Sequence, residues 1–209
     1  DGATITYTIT IADANDQTPT YTATSTTPTV TEGATAVDTN VAITDTDTGD
    51  SNTCTKGGAD ADLFTCSISA TAYSVAFSSA PDYDSGTACA AGNSCTVTIK
   101  INDGAQDGAT ITYTIAIADA NDQTPAVTVD SSYATAEATT VFQTFTIVDT
   151  DTTGTYGCTL GGADSAAFSK TVTGKNCVVS WASARDYDAA HADANGDGTY
   201  ELTIAFTDG

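Results

Sequence analysis

The chain has 209 residues, with 27 Asp and Glu against only 5 Lys and Arg, which gives a formal charge of −22. A chain with so few cations cannot displace the counterions of a nucleic acid and is repelled by anionic lipid, so both are excluded as partners. Carboxylates at this density also repel one another, and divalent cations or a high-salt habitat are the expected compensation. No run approaches the roughly 18 apolar residues of a membrane span, so direct membrane insertion is not expected.

The first predicted element is a strand over residues 4–11, where isoleucine and tyrosine alternate with threonine. A period of two is typical of a strand with one apolar face. Residues 1–19 recur at 107–125, and the only difference is Thr10 against Ala116. The recurrence therefore predicts a second strand of the same kind. Each copy ends in DANDQTP, where proline ends the strand and the Asp and Asn side chains offer oxygen ligands.

Further strands are predicted along the chain, separated by turn residues every 8 to 14 positions. The segments are VAITDTD, YSVAFSS, CTVTIKI, FQTFTIVD, CVVSWAS and YELTIAF. Many short strands and about 100 residues per unit predict an all-β protein of tandem antiparallel Greek-key β-sandwiches. The large aromatic side chains expected to fill the cores are those of Phe77, Phe168, Trp181 and Phe206.

Landmarks recur about 104 to 106 residues apart, so the chain holds repeats near 105 residues long. On this basis residues 20–125 form one complete domain, and residues 126–209 form a second domain that lacks its last strand. Residues 1–19 hold that last strand and a linker, and are expected to complete the second type of domain in a neighbouring copy. We expect the repeats to continue from one copy to the next, either as a covalent tandem array or by donation of the strand to another copy. An open sheet edge favours such association. The alternative is an arbitrary boundary. The absence of Met indicates a processed or excised piece.

The carboxylates form a recurring set: an early Glu, D-T-D, D-Y-D, a terminal Asp-Gly and the DANDQTP linker. Together these motifs resemble the cadherin repeat. The D-Y-D followed by ADANGDGTYELTIAFTDG is similar to bacterial and archaeal cadherin-like domains in particular. The resemblance covers essentially the whole chain and implies cadherin/immunoglobulin-like sandwiches with Ca²⁺ at the junctions between consecutive domains. Asp84 and Asp188 depart from the pattern, because a Glu is usual there.

The resemblance also implies which residues bind the metal. The central junction would use Glu32, Asp82, Asp84, Asp119, Asn121, Asp122, Asp149, Asp151 and Asp208. The second junction would take Asp13, Asn15, Asp16, Asp45, Asp47, Asn52 and Asp103 from one copy, and Glu137, Asp186 and Asp188 from the preceding copy. Metal bound in such a shell would turn a self-repelling, mobile linker into a stiff one. The alternative is an acidic surface without ordered metal.

A separate candidate is the segment DANGDG, which matches the first half of an EF-hand loop without its closing Glu. Asp193, Asn195 and Asp197 are the residues that would bind one extra Ca²⁺ there. A plain glycine-rich hairpin turn explains the same segment equally well.

The six cysteines form plausible pairs within each repeat, which indicates an oxidising exterior. Cys54 with Cys66 and Cys158 with Cys177 would bridge neighbouring strands, and Cys89 with Cys95 would close a hairpin. No Cys/His spacing typical of zinc is present.

No catalytic motif is evident, and the chain is not expected to be an enzyme. The single histidine, His191, has no nucleophile signature beside it. The leading hypothesis is a segment of a calcium-stiffened extracellular filament or stalk at a prokaryotic cell surface, with head-to-tail copies of itself as partners. The alternative is a cell-surface adhesin that binds a glycan or another cell through surface tyrosines such as Tyr73 and Tyr133.

Overall fold

The computed structural model describes residues 2–49, 51–69, 71–129, 136–186 and 199–209. The chain divides into unit 1, Asp1–Ala118, and unit 2, Asp119–Gly209. Regular structure in the described residues consists of thirteen strands and two single 3₁₀ turns, which confirms the all-β prediction. Within the same residues no helix has the length and apolarity needed to cross a membrane.

Unit 1 is a sandwich of two four-stranded sheets, ordered β1-β3-β6-β5 and β2-β8-β7-β4. Its strands are β1 (Thr20–Tyr21), β2 (Thr29–Thr31), β3 (Ala36–Thr44), β4 (Thr53–Gly57), β5 (Phe64–Ser69), β6 (Ala72–Phe77), β7 (Ser94–Asn102) and β8 (Ile111–Ala118). All pairs are antiparallel except β2 with β8. A 3₁₀ turn at Ala61–Leu63 leads from one sheet to the other. Consecutive strands change sheets at every step except from β5 to β6 and from β7 to β8.

A buried polar network crosses the core of unit 1. The Tyr113 hydroxyl lies 3.0 Å from that of Tyr73 and donates to Asp38 Oδ2 at 2.9 Å. The Thr24 backbone N–H donates to the same carboxylate oxygen at 2.9 Å. Burial raises the pKa of both tyrosines, so they stay protonated and able to donate. Tyr73 was expected at the surface as a ligand contact; that expectation is wrong, because the residue is fully buried on β6.

Substitution Tyr113→Phe is expected to destabilise unit 1 by about 1.5–3 kcal/mol, because it leaves the buried Tyr73 hydroxyl and the Asp38 carboxylate each short of one hydrogen bond. The free energy of unfolding in guanidinium chloride measures this loss. Tyr83→Phe is the matched control, since the Tyr83 hydroxyl has no hydrogen bond within the described residues and its removal is expected to change little. Equal effects of the two substitutions would contradict the role given to the network.

Unit 2 contains a three-stranded sheet, β11-β12-β9, and a two-stranded sheet, β10-β13. The strands are β9 (Val141–Thr146), β10 (Gly157–Gly161), β11 (Phe168–Thr173), β12 (Asn176–Trp181) and β13 (Thr203–Thr207), with a 3₁₀ turn at Ser165–Ala167. The Trp181 ring stacks on Phe168 with centroids 4.2 Å apart. Both residues are buried, as predicted, and so is Phe77 in unit 1. Phe206 on β13 is half-buried and packs against the same core, with its ring centroid 5.7 Å from that of Phe145.

The strand predicted over residues 4–11 is not present in the structure. This segment pairs with no strand in the described part of the chain, and its apolar side chains are exposed. Their exposed fractions are 72% for Ile5, 79% for Tyr7, 82% for Ile9 and 91% for Ile11. The identical pattern at 111–118 forms β8, which has β7 on one side and β2 on the other. In the single chain no neighbouring strand accepts the hydrogen bonds of this segment, so the strand that it is expected to form in a neighbouring copy stays a prediction.

Three disulfides join the pairs proposed from the sequence: Cys54–Cys66, Cys89–Cys95 and Cys158–Cys177. Their location differs in part from the expectation. Cys54 on β4 and Cys66 on β5 belong to different sheets, as do Cys158 on β10 and Cys177 on β12. These two bonds therefore tie the two layers of each sandwich together, whereas Cys89–Cys95 closes the loop before β7.

Candidate metal sites

Unit 1 gathers one set of predicted ligands where the chain enters the sandwich. We call Asp13, Asn15, Asp16, Asp45, Asp47, Asn52 and Asp103 the entry cluster of unit 1. Asp13 Oδ2 accepts from the backbone N–H and the hydroxyl of Thr48, at 2.7 and 2.8 Å. Asp47 Oδ2 accepts from the backbone N–H groups of Asp16 and Gln17, both at 2.7 Å. These bonds fold the linker segment DANDQ onto the loop after β3.

Asp103 is only 1% exposed, and its backbone carbonyl accepts from the Asn15 side-chain amide at 3.2 Å. Its Oδ1 accepts from the backbone N–H groups of Ala105 and Gln106, at 2.8 and 2.6 Å. Within the described residues, its Oδ2 is buried without a hydrogen-bond donor, and so are Asp45 Oδ2 and Asn52 Oδ1. Buried polar atoms normally have a partner, and oxygens of this kind are the ligands that a hard cation takes.

Hydrogen bonding lowers the pKa of two carboxylates in the entry cluster of unit 1. The backbone N–H of Gln106 lowers the pKa of Asp103 below its usual value. The backbone N–H of Thr48 lowers the pKa of Asp13 in the same way. Both groups therefore carry negative charge at neutral pH, as ligands of a hard cation must.

Unit 2 repeats this arrangement with the second DANDQ segment. We call Asp119, Asn121, Asp122, Asp149, Asp151 and Asp208 the entry cluster of unit 2. Asp119 Oδ2 accepts from the backbone N–H and the hydroxyl of Thr152, the counterpart of Thr48. Asp151 Oδ2 accepts from the backbone N–H of Gln123 at 2.9 Å, as Asp47 does from Gln17. The same local fold thus forms twice from the same residue pattern.

The carboxylates of Asp149, Asp151 and Asp208 approach one another closely, with one oxygen of each within 4.8 Å of the others. Asp151 is 1% exposed. Asp149 Oδ2 and Asp151 Oδ1 are buried and have no hydrogen-bond donor. Three carboxylates at this separation repel one another strongly unless a cation lies among them.

The Asn121 amide also faces this group. Its N–H₂ group donates to Asp151 Oδ2 at 3.2 Å and to the Thr153 carbonyl oxygen at 3.3 Å. Gly154 permits the approach, because a Cβ there would lie 2.6 Å from the Asp208 carbonyl oxygen and 3.0 Å from Asn121 Oδ1.

A third group lies at the far end of unit 1. One carboxylate oxygen from each of Glu32, Asp82 and Asp84 lies within 4.8 Å of the others. Glu32 is 7% exposed and accepts from the Tyr83 backbone N–H at 2.7 Å. Its own N–H donates to the Ala118 carbonyl, which places it at the end of β8. We call these three residues the exit cluster of unit 1.

The two clusters of unit 1 lie at opposite ends of the sandwich. Asp103 directly follows β7 and lies beside the start of β8. The Glu32 backbone N–H donates to the carbonyl of Ala118, the last residue of β8. The eight residues of β8 at ~3.4 Å each separate these ends by roughly 27 Å.

The corresponding end of unit 2 shows the same backbone link. Ala138 N–H donates to the Arg185 carbonyl at 2.8 Å, as Gly33 N–H donates to the Pro81 carbonyl at 3.1 Å. This bond brings the segment of Glu137 to that of Asp186. Asp188 and the loop candidates Asp193, Asn195 and Asp197 lie outside the described residues.

Two acidic residues shared by both repeats have a structural role that the sequence analysis missed. Asp60 is buried and accepts from the backbone N–H groups of Ala90 and Thr96, both at 2.7 Å. Asp164 accepts from the Glu201 backbone N–H at 2.8 Å. The shared sequence GGAD was the available signal. These carboxylates hold the start of β7 in unit 1 and the residues just before β13 in unit 2.

No family model and no curated protein matches this sequence. Solved structures do resemble its fold. Extracellular cadherin domains 1–4 of protocadherin gamma B7 superpose with a TM-score of 0.58 at 20% identity, covering 94% of this chain and 47% of that chain. Human CDH23 EC21–23 gives 0.57 at 22% identity, covering 85% and 58%. Human protocadherin-24 EC1–2 gives 0.53 at 18% identity, covering 90% and 93%.

The chain thus spans about half the length of the protocadherin gamma B7 structure. The fold is that of tandem cadherin domains, as the sequence motifs indicated.

Proposed function

We propose that this protein is a structural segment of an extracellular filament or stalk, in which Ca²⁺ stiffens the junctions between cadherin-like sandwiches. The observation that supports this most strongly is the repetition of one carboxylate cluster at the entry of both units. Within the described residues, each entry cluster contains buried carboxylate oxygens without hydrogen-bond donors. They belong to Asp45 and Asp103 in unit 1 and to Asp149 and Asp151 in unit 2. A spacer needs the same site at each repeat, whereas an enzyme needs one site in one cleft.

The ligand chemistry favours calcium. Ca²⁺ takes six to eight oxygen ligands, which carboxylates, amide side chains and backbone carbonyls supply. In the described part of the chain, the groups of converging ligands are made of carboxylates alone, without a thiol or an imidazole. The ion pair between Lys100 and Asp107 lies outside every cluster.

We propose two kinds of junction. At the central one, the exit cluster of unit 1 and the entry cluster of unit 2 share their ions. At the other, the entry cluster of unit 1 acts with Glu137, Asp186 and Asp188 of another copy. Bound Ca²⁺ neutralises the repelling carboxylates. Because side chains of the DANDQ segments are among its ligands, the bound ion also restricts the motion of these segments. Copies join end to end, either covalently or by strand donation. The disulfides fit an oxidising extracellular location.

Calorimetric titration of protein stripped with EDTA tests this function. Ca²⁺ is expected to bind with dissociation constants of about 10⁻⁴–10⁻³ M, and Mg²⁺ more weakly, because it demands a smaller octahedral shell. Asp103→Asn keeps the side-chain shape but removes a charge from the entry cluster of unit 1. It is expected to weaken one set of sites by about ten-fold, since ligand charge sets affinity.

Asp107→Asn is the matched control, because Asp107 is exposed and paired with Lys100. It removes the same charge four residues away and is expected to leave the isotherm unchanged. No measurable Ca²⁺ binding to the unsubstituted protein, or equal effects of the two substitutions, would rule out the proposed site.

A further inference from the structure

The open edge of unit 2 and the exposed segment at residues 4–11 are complementary. We propose that β13 accepts residues 4–11 of a second copy of this chain as an antiparallel strand, in the register that places Tyr7 opposite Leu202. This rests on the end-to-end association in the proposed function. It specifies which strand edge is used, which side chains are buried and how they align.

The acceptor is a sheet that has one strand fewer than its counterpart. In unit 1, β7 lies between β4 and β8. In unit 2, the counterpart β13 pairs with β10 alone among the described residues. The side chains of Val97, Ile99 and Ile101 on β7 are all 0% exposed. Their counterparts on and beside β13 are Leu202, Ile204 and Phe206, and each is only half-buried.

The donor has the sequence that fills the same position in unit 1. Residues 1–19 and 107–125 differ at one position, Thr10 against Ala116, and Ala116 faces outward on β8. The inward side chains Tyr113 and Ile115 are 0% exposed. Tyr7 and Ile9, which correspond to them, are 79% and 82% exposed. An apolar strand face without a sheet and a sheet edge without a strand are thus both present in one chain.

Unit 1 defines the register. There, Val97 pairs with Tyr113 and Ile99 with Ile111. The repeat converts these pairs into Leu202 with Tyr7 and Ile204 with Ile5. Thr6 then lies opposite Thr203 on the outer face. A slip by one residue would turn the isoleucines outward, so the apolar pattern excludes it. A slip by two residues keeps the same face inward, and the pairs of unit 1 decide between those frames.

The number of donor segments and acceptor edges follows from which strand positions are already filled in the two units. The position beside β7 is filled by β8 of the same chain, so unit 1 has no place for the donated segment. Among the described residues, the chain thus presents one donor segment and one acceptor edge, which are different surfaces. A contact between them is heterologous, and its repetition builds polar assemblies that stay open unless the rotation closes a ring.

Light scattering after size exclusion, at fixed Ca²⁺ and rising protein concentration, tests the proposal. The unsubstituted chain is expected to form a concentration-dependent ladder of oligomers. Tyr7→Asp places a charge on the inward face and is expected to reduce the association constant at least ten-fold. Thr6→Asp places the same charge on the outward face and is expected to assemble like the parent. Both positions are exposed in the single chain, so neither change disturbs its own core.

Each remaining outcome is decisive. A monomer at every concentration, or full assembly of Tyr7→Asp, overturns strand docking. Loss of assembly in Thr6→Asp but not in Tyr7→Asp overturns the register. A synthetic peptide of residues 2–19 is expected to break the oligomers into capped single chains, whereas the same peptide with Tyr7→Asp leaves them intact. A peptide without effect contradicts the proposed acceptor.

Calcium titration of Tyr7→Asp separates this inference from the function on which it rests. Retained Ca²⁺ binding with lost assembly supports both the metal clusters and the docked strand. Assembly that proceeds in EDTA without any measurable Ca²⁺ binding rejects the calcium role and leaves the strand docking standing.

Discussion

Removal of Ca²⁺ with EDTA is expected to lower the midpoint of thermal unfolding by about 10–20 °C relative to protein in 10 mM Ca²⁺. A ligand that binds only the folded state at 100 times its dissociation constant stabilises that state by about 2.7 kcal/mol per site. A dissociation constant of ~10⁻⁴ M gives this ratio at 10 mM Ca²⁺. For a domain of this size, each kcal/mol shifts the midpoint by about 4–8 °C.

The physical cause is the repulsion within the entry clusters. Asp149, Asp151 and Asp208 converge within 4.8 Å, and without metal they oppose the fold that brings them together. Differential scanning calorimetry measures the shift. Mg²⁺ at the same concentration, with ionic strength matched by NaCl, is the control for general screening and is expected to restore only a small part of the stability. Equal midpoints in Ca²⁺, Mg²⁺ and EDTA would contradict a specific site.

The second large effect is expected from the disulfide of unit 2. Replacing both Cys158 and Cys177 with alanine is expected to destabilise this unit by about 3 kcal/mol, the chain-entropy value for a loop of this length. The bond joins β10 to β12 and thus holds the two-stranded sheet against the three-stranded one. Among the residues that the structure describes, the core cluster of unit 2 has six buried members and that of unit 1 has fifteen. For this described part, the covalent link is expected to matter more in unit 2.

Trp181 is the only tryptophan and lies in the core of unit 2, so its fluorescence reports the unfolding of that unit alone. In urea, its transition is expected at a lower concentration after the double substitution. The matched pair, Cys54→Ala with Cys66→Ala, removes the equivalent bond from unit 1 and is expected to leave the tryptophan transition unchanged. If both pairs shift this transition equally, the two units do not unfold as assigned.

The sequence predicted the fold well wherever period-two alternation was strong, as in β7, β8 and β12. It did not predict β4 and β10, whose short Cys-Thr segments carry few apolar residues. Alternation specifies a face and not a neighbour, so the partner strand of residues 4–11 came only from the repeat, and its place in a neighbouring copy stays a prediction. The disulfide pairs followed from spacing, but their position between the sheets required the topology.

The candidate ligands followed from motifs, and the structure brings the carboxylates of Asp149, Asp151 and Asp208 within 4.8 Å of one another. In unit 1 it repeats the hydrogen bonds by which Asp13 and Asp47 hold the loop and the linker. Burial was not predictable. Asp103 and Asp151 are both 1% exposed, which depends on how loops close over them. The threonines that orient Asp13 and Asp119 gave no signal of their own, because threonine is common throughout the chain.

The distance between the two ends of unit 1 affects how the protein responds to its surroundings. About 27 Å of sheet separates Asp103 from Glu32, and charges are screened within about 8 Å at physiological ionic strength. In the proposed function, Ca²⁺ bound at one end of unit 1 would therefore not change the electrostatic potential at the other end. A series of such units would become stiffer gradually over a range of Ca²⁺ concentrations, and not at a single threshold concentration.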